Sequence, residues 1–407
     1  MRVAVYSSLP VGGAWHATNE LFSALSKRHE IEVFGLAQGA AIADEAPVAY
    51  RSFPCAFRRR FDFPLSRLNW AADYANLKRL TAAQKELARE IDRGNFDVVY
   101  CPSCGITEVP LIVSYLKTPT VYHCNSREWN VHPRDARRYE QSRHPYIRRL
   151  IPDVGQKWYE RSLKARRTTA MNDVVTVLGV SQFLCEQVYL QYGRRCLLSY
   201  VGLPVDRFCR ISEVRRENMV LSVGALTPQK AHDLIIESLA LIPRDLRPVL
   251  GIAFSSAIDK EREYLSELGQ RLGVRIRWFD SVRGYDGMSE LYSRAALVVA
   301  TGVMEGLGRA PLEAMACETP AIAVREGGLR ETIRDGVDGL LVDRDPDALA
   351  RAIESLLTDS ALRERLVREG RKSVEQYWTL DRAASVLEQH LEATARRAAR
   401  STGVRQC

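Results

Sequence analysis

The chain reads as an α/β protein of two units, each a parallel sheet with helices on both faces. Short apolar runs alternate with helix-length segments, the alternation pauses near residue 203 and restarts at 220, and 407 residues exceed one ordinary domain. In the first unit, strands rich in β-branched and aromatic residues are expected at 3–6, 31–35, 97–100, 120–123 and 174–180. A helix is expected near 18–28, after the loop that carries Gly12 and Gly13. A strand over 197–201 closes this unit, and the polar stretch 211–218 follows the boundary at 203/204. In the second unit, strands are expected at 220–223, 249–253, 274–278, 297–300, 321–324 and 339–342. A last helix spans 380–397, and 402–407 is expected to fray. Two Rossmann-like domains follow, 1–203 and 204–379.

Composition and charge bound the function. Hydrophobic residues make up 46% and charged residues 27%, as in an ordinary globular chain. The opening Met-Arg-Val-Ala-Val-Tyr-Ser lacks a signal-peptide layout and no apolar run reaches spanning length, so a cytoplasmic protein is expected. Nine irregularly spaced cysteines in such a chain point to reduced thiols. The net charge is +8, and the stretch 127–167 alone holds twelve Lys/Arg against five Asp/Glu, interleaved with Tyr139, Tyr146, Trp158 and Tyr159. Two readings stand for that stretch: an anionic membrane surface as partner, or a solvated helix whose arginines pair with nearby acids. No nucleic-acid module accompanies the charge, so nucleic acid is not expected.

The most informative segment is Glu305-Gly-Leu-Gly-Arg-Ala-Pro-Leu-Glu313. Gly306 and Gly308 let backbone N–H groups approach a ligand, and Pro311 suits the first position of a helix whose N-terminus attracts an anion. Glu305 is expected on the loop before that helix and Glu313 in its first turn. A carboxylate repels phosphate, so hydroxyls are the better partners for both glutamates, and sugar hydroxyls fit.

This segment resembles the E-x7-E signature of the retaining GT-B glycosyltransferases of family 4. The resemblance extends to Pro320, Glu326-Gly-Gly-Leu-Arg-Glu331, Asp338-Gly-Leu-Leu-Val342, Leu291-Tyr-Ser-Arg-Ala-Ala-Leu-Val-Val299 and Val223-Gly-Ala-Leu-Thr-Pro-Gln-Lys230. It is clear at the N-terminus only in Val3-Ala-Val-Tyr-Ser-Ser8 with Gly12 and Gly13, and residues 50–170 carry little of it. It implies two Rossmann-like domains facing across a cleft, with the last helix crossing back to the N-terminal domain. The donor would be a nucleotide diphosphate sugar, with no cofactor and no metal.

Roles follow from the resemblance, residue by residue. Glu313 would bind ribose hydroxyls and Glu305 hydroxyls of the transferred sugar. Lys230 would hold the diphosphate together with Gly306, Leu307, Gly308 and Arg309. Gly12 and Gly13 would let backbone approach the donor, although a lone Gly-Gly is by itself an ordinary turn. His123, ending a strand where α/β sheets bind ligands, would reach the donor sugar, although a lone histidine is more often a structural polar group. Where the family carries arginine this chain has Ala225; Arg309 replaces that cation, points to solvent or braces its helix. Cys101-Pro-Ser-Cys104 lacks the second pair of a zinc site and the surroundings of a redox motif. Asp345 reads as an N-cap before Pro346 and not as part of a metal-binding Asp-x-Asp.

The expected activity is transfer of a sugar with retention, by front-face substitution in which the departing phosphate takes the acceptor's proton. Double displacement with Glu305 as nucleophile is the alternative. The acceptor is a glycan, a lipid-linked molecule at the inner membrane face or a soluble metabolite. A binding protein without turnover, a sugar phosphorylase and an epimerase remain as other classes.

Overall fold

The structure, a computed structural model, describes residues 1–9, 12–37, 49–55, 57, 69–125, 154–257, 260–282 and 284–403. Residues 202–382 form one compact unit; the described residues before it, together with those from 383 onward, form the other. In the first, β1 (Arg2–Ser7), α1 (Gly13–Leu25), β2 (Glu30–Ala37), β3 (Ala49–Pro54), α2 (Asn69–Arg93), β4 (Val98–Pro102), β5 (Thr120–Cys124), α3 (Val154–Asp173), β6 (Thr176–Gly179), α4 (Gln182–Tyr192) and β7 (Leu197–Leu198) succeed one another. Its strands pair in parallel in the order β3-β2-β1-β4-β5-β6-β7. Parallel pairing with both faces covered explains why β4 and β5 are buried along their whole length.

The second unit repeats the plan. Here β8 (Met219–Val223), α5 (His232–Leu241), β9 (Val249–Phe254), α6 (Glu261–Leu272), β10 (Ile276–Asp280), α7 (Gly284–Arg294), β11 (Leu297–Ala300), α8 (Arg309–Ala316), β12 (Ala321–Val324), α9 (Leu329–Thr332), β13 (Leu340–Val342), α10 (Pro346–Thr358) and α11 (Ser360–Tyr377) build a parallel sheet in the order β10-β9-β8-β11-β12-β13. In each sheet the strand order reverses once, between β1 and β4 and between β8 and β11. Such a reversal is where, in α/β sheets, the loops leaving the central strands diverge and ligands bind at the carboxyl ends.

The last helix, α12 (Leu380–Gly403), begins in the second unit and continues in the first. Leu387 and Leu391 are fully buried, Glu388 accepts from the His29 ring and pairs with Arg28, and Thr394 meets the Thr176 hydroxyl at 2.8 Å. The helix therefore returns to the first unit's core, as the resemblance implies.

Several boundaries differ from the sequence expectation. Helix α1 starts at Gly13, not near 18, because Trp15, Thr18, Leu21, Phe22 and Leu25 already form one buried face. Strand β10 begins at Ile276 because Val274 closes α6: its N–H donates to the Gly269 carbonyl beyond the left-handed Gly273. Strand β7 keeps two residues of the five expected. Helix α12 runs to Gly403, past the expected end at 397. Strand β3 and helix α2 were not assigned from sequence, though Leu77, Leu80, Gln84, Leu87 and Ile91 of α2 are buried at helical spacing. Of the basic stretch 127–167, residues 127–153 lie outside the described residues, and the remainder opens α3. No helix among the described residues is long and apolar enough to cross a membrane. All described cysteines are free thiols.

Candidate functional site

Two loops at the second unit's strand-order reversal are tied together before any side chain is considered. The loop leaving β8 ends in a 3-10 turn, Pro228–Lys230, and the loop leaving β11 starts at Thr301. The Thr301 hydroxyl reaches the carbonyls of Lys230 and Ala231 at 3.0 and 2.9 Å, and the Val303 N–H donates to the Gln229 carbonyl at 2.8 Å. This stitching sets Lys230 opposite Glu305. The ammonium donates to both carboxylate oxygens, at 2.9 and 2.7 Å, with the two side chains 28% and 23% exposed. The lysine stem runs over Gly224, where an added Cβ would stand 3.0 Å from its Cδ.

The glycine turn behind Glu305 is held by backbone. The Gly328 N–H donates to the Glu305 carbonyl at 2.8 Å, and a Cβ at Gly328 would fall 2.2 Å from the Gly306 oxygen. Leu307 is buried, and Gly308, at φ +85°, takes the left-handed conformation that ends the turn. Met304 also has positive φ, +50°, which is uncommon for a side chain of its size and marks local strain beside Glu305. Arg344 clamps the arrangement: its guanidinium grips Glu326 at 2.8 and 2.7 Å and donates to the carbonyls of Thr301 and Gly302 at 2.9 and 3.2 Å.

Helix α8 follows, with Gly308 as N-cap and Arg309 as its first residue. Pro311 is thus the third helical residue, not the first, and Glu313 lies in the second turn, not the first. The shift brings Arg309 and Glu313 one turn apart on the same face, with Nε 3.4 Å from Oε1. Arg309 thus braces its own helix. The other oxygen of Glu313 accepts from the Tyr292 hydroxyl at 2.7 Å. Tyr292 is fully buried, and burial followed by the Glu313 charge pushes its phenol well above the usual value, so it stays a donor.

The structure thus sets Lys230 against Glu305 and carries the turn of Gly306, Leu307 and Gly308 into the helix on which Arg309 pairs with Glu313. Gly12, Gly13 and His123 belong to the other unit. Gly12 caps α1 with an extended backbone that any residue adopts; a Cβ at Gly13 would meet nothing within 4 Å, so the backbone there is open to close approach.

His123 departs from its expected role. It is fully buried, its Nε2–H donates to the Ser199 carbonyl at 2.9 Å, and its Nδ1 accepts from the Tyr100 hydroxyl at 2.8 Å. Both ring nitrogens are committed to the first unit's interior. Burial holds its pKa down to about 4, so the ring is neutral. Cys101 and Cys104 are buried, and burial pushes the Cys101 thiol up, away from redox chemistry. Asp345 caps α10 by accepting from the Ala348 N–H at 2.8 Å.

Sequence reasoning assigned no role to Tyr292, Thr301, Glu326 or Arg344. Tyr292 and Glu326 stood within motifs already singled out, and Arg344 lay between Asp343 and Asp345. Their signal is a juxtaposition of distant segments.

Residues 209–373 match the model of the glycosyl transferases group 1 family. An uncharacterized glycosyltransferase of Methanocaldococcus jannaschii is 36% identical over 171 residues, 41% of this chain and 43% of that protein. The D-inositol 3-phosphate glycosyltransferase of Xylanimonas cellulosilytica is 32% identical over 210 residues, 51% of this chain and 48% of that protein. The chain thus spans less than half the length of these curated relatives. Among solved structures, Anabaena HepE in complex with UDP and glucose superposes with a TM-score of 0.72 at 18% identity, over 97% of this chain and 100% of that one, which shows the fold. The match to the glycosyl transferases group 1 family thus covers residues 209–373, on an architecture of two parallel α/β units shared with GT-B proteins.

Proposed function

We propose that the protein transfers a sugar from a nucleotide diphosphate sugar to an acceptor hydroxyl, with retention and without a metal. One observation carries this reading: at the strand-order reversal of the second sheet Lys230 pairs with Glu305, at the start of the glycine turn that leads into the helix carrying Glu313. The family match over residues 209–373 and the UDP bound in the HepE structure support it.

In this reading Glu313, steadied by Tyr292 and Arg309, accepts from ribose hydroxyls. The N–H groups of the turn after Gly306 and the ammonium of Lys230 face the diphosphate, whose charge grows as the glycosidic bond breaks. Glu305 accepts from hydroxyls of the transferred sugar. The acceptor oxygen attacks on the face the phosphate leaves, and that phosphate takes its proton, so no protein base is needed. Glu305, committed to hydroxyls, is then not the nucleophile.

A lipid-linked acceptor at an anionic surface is favoured by α3. Val154 and Trp158 are 72% and 46% exposed there, and Lys157, Arg161 and Lys164 are exposed on the same helix. Liposome sedimentation at low and high salt tests this, and no binding at low salt removes it.

Nucleotide release from UDP- and GDP-sugars, with a product assay for anomeric configuration, tests the activity. Glu305→Ala is expected to abolish transfer while nucleotide binding persists; full transfer by that variant would refute the assignment. Binding of a nucleotide sugar with neither release nor transfer under any acceptor would favour a protein without turnover.

A further inference from the structure

We propose that Glu305 also sets selectivity at this site, favouring a nucleotide that still carries its sugar over the free nucleoside diphosphate; this rests on the donor reading above. Lys230 has three N–H donors, and Glu305 takes contacts to both of its oxygens from that one ammonium, at 2.9 and 2.7 Å. One N–H is left for a diphosphate, and any further contact must be drawn from a carboxylate that already neutralises the lysine.

Two features keep Glu305 in competition. Hydrogen bonds from Thr301 and Val303 lock the lysine loop to the glutamate loop. At Gly302 a Cβ would stand 2.4 Å from Glu305 Oε2, so the carboxylate lies directly on the backbone of its own loop. With both side chains about a quarter exposed, solvent screens the exchange only in part.

A free nucleoside diphosphate that draws on Lys230 loosens Glu305 from its cation and sets it next to another anion. A nucleotide sugar supplies hydroxyls, which donate to the freed carboxylate and offset the loss. The same asymmetry favours release of the nucleoside diphosphate once the sugar has gone.

Calorimetric titration of the full chain with UDP, UDP-glucose, GDP and GDP-mannose tests this, using whichever base the wild type binds. Glu305→Gln, which keeps the shape and removes the charge, is expected to bind the free nucleoside diphosphate about 3- to 10-fold tighter, the range of a partly screened charge pair. Its preference for the sugar-bearing form should fall by at least the same factor. Lys230→Gln should weaken both ligands. Glu305→Ala serves as the second variant, with thermal midpoints to confirm folding. Unchanged or weaker diphosphate binding in folded Glu305 variants overturns the selectivity role and leaves the donor reading standing. Failure of the wild type to bind any of the four overturns both.

Discussion

Acid should destabilise this protein through two buried histidines, one in each unit. His123 and His232 are both held near pKa 4 against an ordinary 6.5, with burial the leading cause in each. The geometry is the same at both sites: Nε2 faces a carbonyl, of Ser199 or Ala225, and Nδ1 faces a hydroxyl, of Tyr100 or Ser222. A proton added to Nδ1 would confront the hydroxyl hydrogen and place a charge in a dry interior. The unfolded chain therefore binds more protons between about pH 6.5 and 4. Stability is fully present above that window and falls as pH drops through it. At about 1.4 kcal/mol per pH unit, each ring costs roughly 2 kcal/mol by pH 5 and about 3 kcal/mol by pH 4. Two measurements check this. Ring signals of isotope-labelled histidine, assigned with His123→Gln and His232→Gln, should show no titration of either residue above pH 5 in the folded protein. Urea unfolding at pH 7 and pH 5 should show a smaller pH effect on the first unit in His123→Gln. A folded-state midpoint near 6.5 for His123 would refute the buried, neutral assignment and reopen a role at the reacting sugar.

Three other perturbations address the second unit. Tyr292→Phe removes one donor from Glu313 without altering ring packing and should weaken nucleotide binding about 10- to 100-fold with little change in kcat, a hydrogen bond to a charged group being worth roughly 1.5–3 kcal/mol; equal affinity in a titration would count against Glu313 as a ribose ligand. Gly328→Ala puts a methyl 2.2 Å from the Gly306 oxygen and should cost about 1–3 kcal/mol in urea unfolding while abolishing nucleotide binding. Arg344→Ala should raise KM for the donor and lower thermal stability, with Arg344→Lys restoring little of either because one ammonium does not span Glu326 and two carbonyls; full rescue by lysine would reduce its role to charge alone.

Much of the fold was legible because parallel strands buried on both faces read as continuous apolar runs. Strands β5, β8, β11 and β12 were placed within a residue of their observed limits, and β4 within two, for that reason. The edge strand β3 was missed because half its surface faces water: Arg51 and Ser52 are exposed, and its sequence carries no apolar run. In α2 the apolar spacing was present but diluted by Lys, Arg and Glu between the buried positions. At the site, the pairing of Lys230 with Glu305 was not legible, since the expectation gave the lysine to a diphosphate and the glutamate to hydroxyls. Nor was the start of α8, because Pro311 fits the third helical position as well as the first, neither needing its N–H inside the helix.

From its order of residues alone the chain determined the alternation of strands and helices, and with it two parallel sheets, because hydrophobic period and local propensity are properties of neighbouring residues. It also determined the glycine turn between Glu305 and Glu313, since few other residues permit that backbone. Tertiary structure alone decided which distant partners Lys230, Arg344 and His123 meet. Lys230 meets Glu305 across 75 positions, Arg344 reaches two carbonyls 43 and 42 positions away, and His123 is sealed by Ser199 from 76 positions downstream. Contacts of that separation depend on which strands lie side by side, and the burial they create sets the protonation and the partners of the groups involved.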